Sequence, residues 1–212
     1  MNNQTVWIVI ILIIIVVFCL FSFFFKMNFN QQEGFCENHQ EEQAQLYIVR
    51  NPQFFLKFMN AWVQHLFYTR LIYMAFFADA KSLPSIQQKL LQNQKDIGNL
   101  FAQMYGKKVG DDITKALTEH IQIAVEVLTA IREEEDAEST LDKFYQNAED
   151  IGKYLDNLKG TNGLFTRHMK THIDTLVKSV DAFIKNDFQN DIKFNDQYLN
   201  SGVKMAYDML SK

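Results

Sequence analysis

The sequence predicts an all-α protein in which one N-terminal transmembrane helix precedes a bundle of about six helices built from helical-hairpin repeats. An uncharged apolar run occupies residues 6–25, apolar side chains further along recur at alternating steps of three and four, and only two prolines interrupt the 212 residues. Steps of three and four place side chains on one face of a helix, and proline is excluded from helix interiors. We divide the chain into an anchor at 1–26, a polar stalk at 27–50 and a helical bundle at 51–212.

The apolar run from Val6 to Phe25 predicts a membrane anchor. It carries no charged side chain, and at about 1.5 Å per residue a helix of this length crosses a hydrocarbon core of roughly 30 Å. A cleaved signal peptide would begin with basic residues and end in small ones, whereas this chain begins MNNQT and the run ends in phenylalanines. We therefore expect a single-pass membrane protein whose residues 6–25 have the lipid bilayer as their partner.

Composition limits the remaining partners. The formal net charge is -4, and every charged side chain follows Phe25. A mildly acidic domain lacks the basic surface that nucleic-acid phosphates require, so we expect no nucleic acid as a partner. Cys19 lies inside the apolar run and leaves Cys36 as the only other thiol, so no disulfide framework is expected. Residues 27–50 are rich in Gln, Glu and Asn, which is typical of a spacer that buries little.

Residues typical of helix starts and ends predict six helices after Arg50. Asn51 and Pro52 supply an N-cap and a proline at the first helical position, and Gly106 and Gly160 are expected to end helices. The expected ranges are about 51–78, 85–106, 110–135, 139–160, 163–185 and 187–212.

Two of the predicted hairpins are related in sequence. Residues 92–98 read QNQKDIG and residues 146–152 read QNAEDIG, after which EHI at 119–121 aligns with THI at 171–173. Duplication of a two-helix unit is typical of helical repeat proteins. Residues 62–66 form a weaker copy of the histidine-bearing helix. The sixth helix is a candidate to complete a third hairpin, but its match to the repeat is poor.

The buried stripes of these helices place polar residues at matching positions. In each stripe, residues recur at alternating steps of four and three. The third place is held by His65, His120 and His172 in the first, third and fifth helices, and by Asn93 and Asn147 in the second and fourth. We therefore expect one polar layer inside the bundle.

The order of these motifs resembles a small all-helical protein family. The likeness covers about residues 62–210 and includes a Trp-and-His helix ending at Arg70, the run LLQNQKD at 90–96, and YQNAEDI at 145–151. The chain is similar to soluble bacterial and large-DNA-virus proteins that often carry an automatic label of acetylglutamate kinase. The resemblance implies an all-helical fold without a settled activity. The kinase label is not carried over, because an amino-acid kinase needs strands and a glycine-rich phosphate loop.

The polar layer has three interpretations. Three histidines that leave an open coordination position can bind a transition metal, so His65, His120 and His172 are candidate metal ligands, with Asn93 and Asn147 in the same layer. Alternatively the layer is structural, because buried polar groups cost about 1–3 kcal/mol each unless they are hydrogen-bonded to one another or to the backbone. A small-molecule site is the third interpretation. We identify no catalytic residue and no cofactor-binding motif.

Two carboxylates lie beside this layer. Asp96 and Asp150 follow the layer's asparagines by one helical turn. We expect them to form interhelical salt bridges, with Arg70 or nearby lysines as partners.

Two functions are compatible with these patterns. The first is a membrane-anchored structural or interaction protein with protein partners in a membrane or virion assembly, such as a minor capsid or internal-membrane-associated component. The Asn- and Lys-rich, proline-poor composition fits the AT-rich genome of a virus. The second is a metal- or small-ligand-binding bundle, enzymatic or not, that uses the His-lined interior. Either function places the protein at a membrane, including a viral membrane or virion.

Overall fold

A computed structural model of the chain describes residues 51–135 and 137–211, and every regular element in that part is a helix. The helices are α1 (Pro52–Phe77), α2 (Leu83–Tyr105), α3 (Lys107–Arg132), α4 (Ala137–Lys159), α5 (Leu164–Ile184) and α6 (Phe188–Leu210). The predicted all-α bundle of six helices is confirmed. The predicted anchor at 1–26 and stalk at 27–50 lie outside the described residues. Among the six helices, none combines the length and the hydropathy that a membrane crossing requires.

Most helix ends lie at the capping residues and glycines predicted from the sequence, with one clear departure. As predicted, Asn51 caps α1: its Oδ1 accepts a hydrogen bond from the Phe54 amide at 3.2 Å. The predicted start of the third helix at Gly110 is wrong, because α3 begins at Lys107. Gly106, at φ +92°, turns the chain between α2 and α3 without further loop residues. Glycine adopts this positive φ without the steric cost that other residues meet.

The six helices form a closed ring. Each packs against its neighbours in sequence, and α6 packs against α1. Short connections make consecutive helices antiparallel, as the hairpin repeats predict. The stripes of alternating steps face the interior, where Phe58, Ile97 and Phe165 are fully buried. Closure therefore gives the bundle one interior that all six helices share.

A glycine in each even-numbered helix allows close approach to the next odd-numbered helix. A Cβ added to Gly98 would lie 2.7 Å from a backbone oxygen of α3, and one added to Gly152 would lie 2.5 Å from a backbone Cα of α5. A Cβ on Gly202 of α6 would lie 2.5 Å from Leu66 Cδ2 of α1. Contacts this short leave room only for a hydrogen atom. The ring thus contains three closely packed helix pairs, α2–α3, α4–α5 and α6–α1.

The third pair brings together the first and the last described helix, which are not consecutive in the chain. Helix α6 packs against α5 on one side and against α1, the first described helix, on the other. The inward stripe of α6 accordingly includes polar and aromatic side chains; it consists of the buried residues Asp191, Asn195, Tyr198, Gly202, Met205 and Met209.

An ion pair connects α6 to α1. Arg70 Nη1 and Nη2 donate to the two carboxylate oxygens of Asp191 at 2.9 and 2.8 Å. The same carboxylate accepts from the Tyr73 hydroxyl at 3.1 Å and from Ser179 Oγ of α5 at 2.7 Å. Burial raises the pKa of Asp191, but hydrogen bonds from Arg70 and Ser179 outweigh burial, so that the pKa lies below its usual value. The network joins α1, α5 and α6.

The predicted interhelical salt bridges of Asp96 and Asp150 are wrong. Asp96 accepts a hydrogen bond from Gln92 Nε2 at 3.1 Å, and Asp150 accepts one from Gln146 Nε2 at 2.9 Å. Each pair lies one turn apart on its own helix, and the two pairs occupy equivalent positions of the sequence repeat. Arg70 is engaged instead by Asp191, which the sequence does not single out.

Replacing Arg70 should weaken the bundle. Arg70→Met is expected to lower the free energy of unfolding by about 3 kcal/mol, because the Asp191 carboxylate stays buried without its ionic partner. Urea denaturation followed by circular dichroism measures this change. The control is Lys185→Met, which removes an exposed 2.8 Å pair with Asp181 and should cost at most about 0.5 kcal/mol. An equal loss in both variants would contradict a special role for the buried carboxylate.

Candidate binding site in the bundle interior

The histidines of α1, α3 and α5 lie together inside the ring. His65, His120 and His172 are each 2% exposed. The ring centroids of His65 and His172 are 6.1 Å apart, with their planes inclined at 28°. His120 lies near enough to lower the pKa of both other imidazoles electrostatically. The expected inward orientation of the three histidines is therefore observed.

The two asparagines of the layer form hydrogen bonds between neighbouring helices. His120 Nδ1 and Asn147 Oδ1 are 2.7 Å apart, and because an amide oxygen only accepts hydrogen bonds, this imidazole carries its proton on Nδ1. The His120 ring also stacks on Phe144, with centroids 4.6 Å apart. Asn93 Nδ2 donates to the backbone oxygen of Ala61 at 2.9 Å. Asn147 thus links α4 to α3, and Asn93 links α2 to α1.

The remainder of the layer contains polar atoms that no hydrogen bond satisfies among the described residues. The five atoms are Trp62 Nε1, His65 Nδ1, Gln94 Oε1, His172 Nδ1 and the Tyr198 hydroxyl oxygen. The Tyr198 hydroxyl lies close enough to Thr69 for Thr69 to affect its pKa, but the pair does not meet the distance and angle of a hydrogen bond. An unpartnered buried polar group costs about 1–3 kcal/mol. Five such groups in one place therefore favour bound water or a polar ligand atom as their partner.

These five groups form one continuous cluster, which we call the polar cluster. The ring centroids of Trp62 and His65 are 5.8 Å apart, and those of His172 and Tyr198 are 4.5 Å apart. The Gln94 amide lies beside His65 and influences its pKa, yet the two side chains do not meet the distance and angle of a hydrogen bond. The cluster spans α1, α2, α5 and α6.

Burial keeps the three imidazoles neutral near pH 7. Desolvation lowers the pKa of His65 from 6.5 to about 3 and that of His120 from 6.5 to about 4. Desolvation likewise places the pKa of His172 well below 6.5. A neutral imidazole offers one donor and one acceptor nitrogen. The polar layer is therefore an uncharged hydrogen-bonding surface.

The predicted metal centre has no geometric support. Across residues 51–135 and 137–211, no three His, Cys, Asp or Glu side chains are arranged to hold a metal ion. The Nδ1 atom of His120 already pairs with Asn147, and His65 and His172 stack on one another. Coordination of a metal by His65, His120 and His172 stays a prediction from the sequence.

A cavity of about 380 Å³ lies next to the polar layer. Its lining includes Thr69, Leu90, Phe144 and Leu176, each of which lies one helical turn from a histidine or asparagine of the layer. The cavity continues towards the end of the bundle at which α3 and α5 end and α4 begins. Aliphatic side chains dominate that part of the wall, among them Val125, Leu128, Ile131, Leu141, Val177 and Val180.

The few charged groups of the cavity mark its opening. Glu138 and Asp181 belong to the lining and are exposed, and no lysine or arginine lines the cavity. On the inner side, Thr69 Oγ1 donates to the His65 backbone oxygen at 2.8 Å and lies near the Tyr198 hydroxyl. Tyr73 contributes a hydroxyl that is already bound to Asp191. The cavity therefore suits an uncharged, largely apolar molecule.

The sequence pattern identifies the three histidines but not several of their neighbours. Gln94 directly follows Asn93 in the sequence. Its place in the polar cluster depends on the orientation of its side chain, which the sequence pattern does not determine. Tyr198 could have been found, since it holds the third place of a stripe that begins at Asp191 and steps by four and three. The cavity itself has no sequence signal, because aliphatic residues that line a void and those that fill a core follow the same pattern.

No protein-family model, curated protein or solved structure matches the chain. The resemblance to the small helical family consequently stays a prediction, as does the viral context that it implies.

The buried neutral histidines should make stability depend on pH. Because their folded-state pKa values lie below the unfolded value of 6.5, the unfolded chain binds protons that the folded chain excludes. Stability is therefore complete above about pH 6.5 and is lost as pH falls towards about 4. Between about pH 7.5 and 5.5, three such histidines should remove about 4 kcal/mol from the free energy of unfolding.

Urea denaturation over this pH range measures the effect. His120→Gln keeps a neutral hydrogen-bonding side chain that cannot titrate, so it should remove about a third of the pH dependence. A free energy of unfolding that is constant across the range would contradict burial of neutral imidazoles.

Proposed function

We propose that this protein binds a small, uncharged and largely apolar molecule inside its helical bundle, and that residues 6–25 hold it at a membrane. The observation that supports binding is the cavity of about 380 Å³ with aliphatic walls beside the polar cluster. Ligand sites in proteins typically enclose about 300–1,000 Å³ and combine apolar walls with a few polar groups. The interior of this ring has both properties.

The chemistry of the walls favours one class of ligand. Burial of an aliphatic body contributes about 25 cal/mol per Å² of apolar surface removed from water. The exposed acids Glu138 and Asp181 at the opening, with no basic side chain in the lining, disfavour an anionic group there. A molecule with a hydrocarbon body and at most a hydroxyl-type polar end, such as a long-chain alcohol, is complementary to this lining.

Binding is a better explanation of the polar layer than catalysis. A general base is effective when its pKa lies near the working pH, whereas the pKa values of His65 and His120 are about 3 and about 4. Neutral groups of this kind orient a ligand or hold water through hydrogen bonds. We therefore propose a carrier, receptor or storage role for the bundle.

Attachment to a membrane is consistent with such a ligand. The support for the anchor is the uncharged apolar sequence of residues 6–25. Apolar molecules concentrate in bilayers, so a tethered bundle would meet its ligand at high local concentration. A purely structural or interaction role in a membrane or virion assembly stays the alternative that the sequence suggests.

Photo-crosslinking tests the proposed ligand site on the full chain in vesicles. The probe is a long-chain alcohol that carries a diazirine, and crosslinked residues are mapped by mass spectrometry. We expect crosslinks within α3 and α5 at the cavity wall. Val177→Phe should reduce them at least fivefold, which corresponds to about 1 kcal/mol, because the larger ring occupies the cavity.

Val109→Phe is the matched control, since Val109 is a half-buried valine of α3 outside the cavity lining. This variant should retain the crosslinks. Labelling confined to residues 6–25 or to the outer surface, or equal labelling in both variants, would contradict a ligand site in the interior.

A further inference from the structure

The outward side of α1 is apolar although it is exposed. Leu56, Val63 and Phe67 are 65%, 45% and 53% exposed. Steps of seven and four place them in one stripe, on the side of α1 opposite to His65 and the interior. Single exposed apolar side chains are common on protein surfaces, but an aligned set indicates a surface that has a partner.

Helix α6 extends this surface. Six of the seven large apolar side chains that are exposed in the described residues belong to α1 and α6. The α6 members are Phe188, Ile192 and Val203, and the neighbour of Val203, Gly202, packs against Leu66 of α1. We call the exposed residues Leu56, Val63, Phe67, Phe188, Ile192 and Val203 the α1–α6 face.

The charges on these two helices differ from those of the whole chain. The chain has a formal net charge of -4, yet α1 contains no acidic residue and carries the exposed Lys57, its other basic residue, Arg70, being paired with the buried Asp191. On α6, Lys193 and Lys204 are exposed, against a single exposed carboxylate at Asp196, and Lys204 also lies 3.3 Å from the buried Asp208 carboxylate. An apolar stripe flanked by basic side chains is the combination by which helices bind the surface of anionic bilayers.

The position of α1 in the chain points to the same partner. It is the first described helix, and residues 26–50 connect it to the proposed anchor at 6–25. Even fully extended, this connection reaches at most about 85 Å. The membrane surface would therefore be present at a high effective concentration for whichever side of the bundle fits it.

We propose that the α1–α6 face rests on the surface of the membrane to which the protein is anchored, with Leu56, Val63 and Phe67 entering the boundary between head groups and acyl chains. The inference depends on the proposed anchoring by residues 6–25. It does not depend on ligand binding, because the cavity lies on the inner side of the ring. Anionic lipid is the matching surface, since lysines flank the apolar side chains.

Site-specific fluorescence on the full chain tests this docking. Cys19→Ser and Cys36→Ser remove the native thiols, and Phe67→Cys or Lys143→Cys introduces one labelling site for bimane. Lys143 is the control because it is exposed on α4, across the ring from α1. Each labelled protein is reconstituted into vesicles of phosphatidylcholine and phosphatidylserine, with or without lipids that carry a doxyl quencher on the acyl chain.

We expect doxyl lipids to quench bimane at position 67 at least twofold more strongly than at position 143. Adding Val63→Asp should reduce the quenching at position 67, because a carboxylate resists entry into the bilayer interface. Omitting phosphatidylserine should also reduce it, because the flanking lysines lose their anionic partners.

The other outcomes distinguish a failure of the proposed anchor from a failure of the proposed docking. Vesicle flotation reports anchoring on its own: a chain that fails to float would overturn both the anchor and the docking. A chain that floats but shows equal, weak quenching at both positions would overturn docking and leave the anchor intact. A disulfide-linked dimer through Phe67→Cys, without lipid quenching, would show that a second copy of the chain covers the α1–α6 face.

Discussion

The packing of α6 against α1 is the constraint on which the rest of this structure depends. Two contacts define it: the Arg70–Asp191 ion pair, and the approach of Gly202 to Leu66. Four of the six helices form the hairpins that the sequence repeat predicts, but such hairpins in an open row would leave the inward stripes of the first and last helices in water. Closure removes both stripes from water, and His65 and Tyr198 become buried with them.

The closed interior explains both the chemistry of the histidines and the form of the cavity. Desolvation is the largest cause of the lowered pKa of His65, His120 and His172, so their neutrality depends on the ring staying shut. The aliphatic cavity lies on one side of the polar layer, and the polar cluster is part of that layer. An interior of this kind combines a large apolar volume with a few uncharged hydrogen-bonding groups, and this combination supports our proposal of an uncharged, largely apolar ligand.

The sequence was most informative where the periodicity of the α-helix determines which side chains are buried. Capping residues and glycines predicted the six helices, and alternating steps of three and four in the first five predicted the inward histidines, because side-chain direction in a helix depends on position alone. Partners across the ring could not be predicted in this way. Asn93 bonds a backbone oxygen, which every residue carries, and Asp191 was overlooked because its importance comes from Arg70, more than a hundred positions away. The cavity depends on how closely helices approach, which single-residue patterns do not encode.

An engineered disulfide between α6 and α1 tests ring closure most directly. A Cβ on Gly202 would lie 3.2 Å from Leu66 Cγ, so it is at most one bond length further from Leu66 Cβ, and disulfides need Cβ atoms roughly 3.5–4.5 Å apart. In a chain carrying Cys19→Ser and Cys36→Ser, the pair Leu66→Cys and Gly202→Cys should form an intramolecular disulfide under mild oxidation, which a gel-mobility shift or mass spectrometry detects. The adjacent pair Leu66→Cys and Ser201→Cys should oxidise much less. If the first pair stays reduced while the chain is folded, the ring is open and the shared interior does not exist.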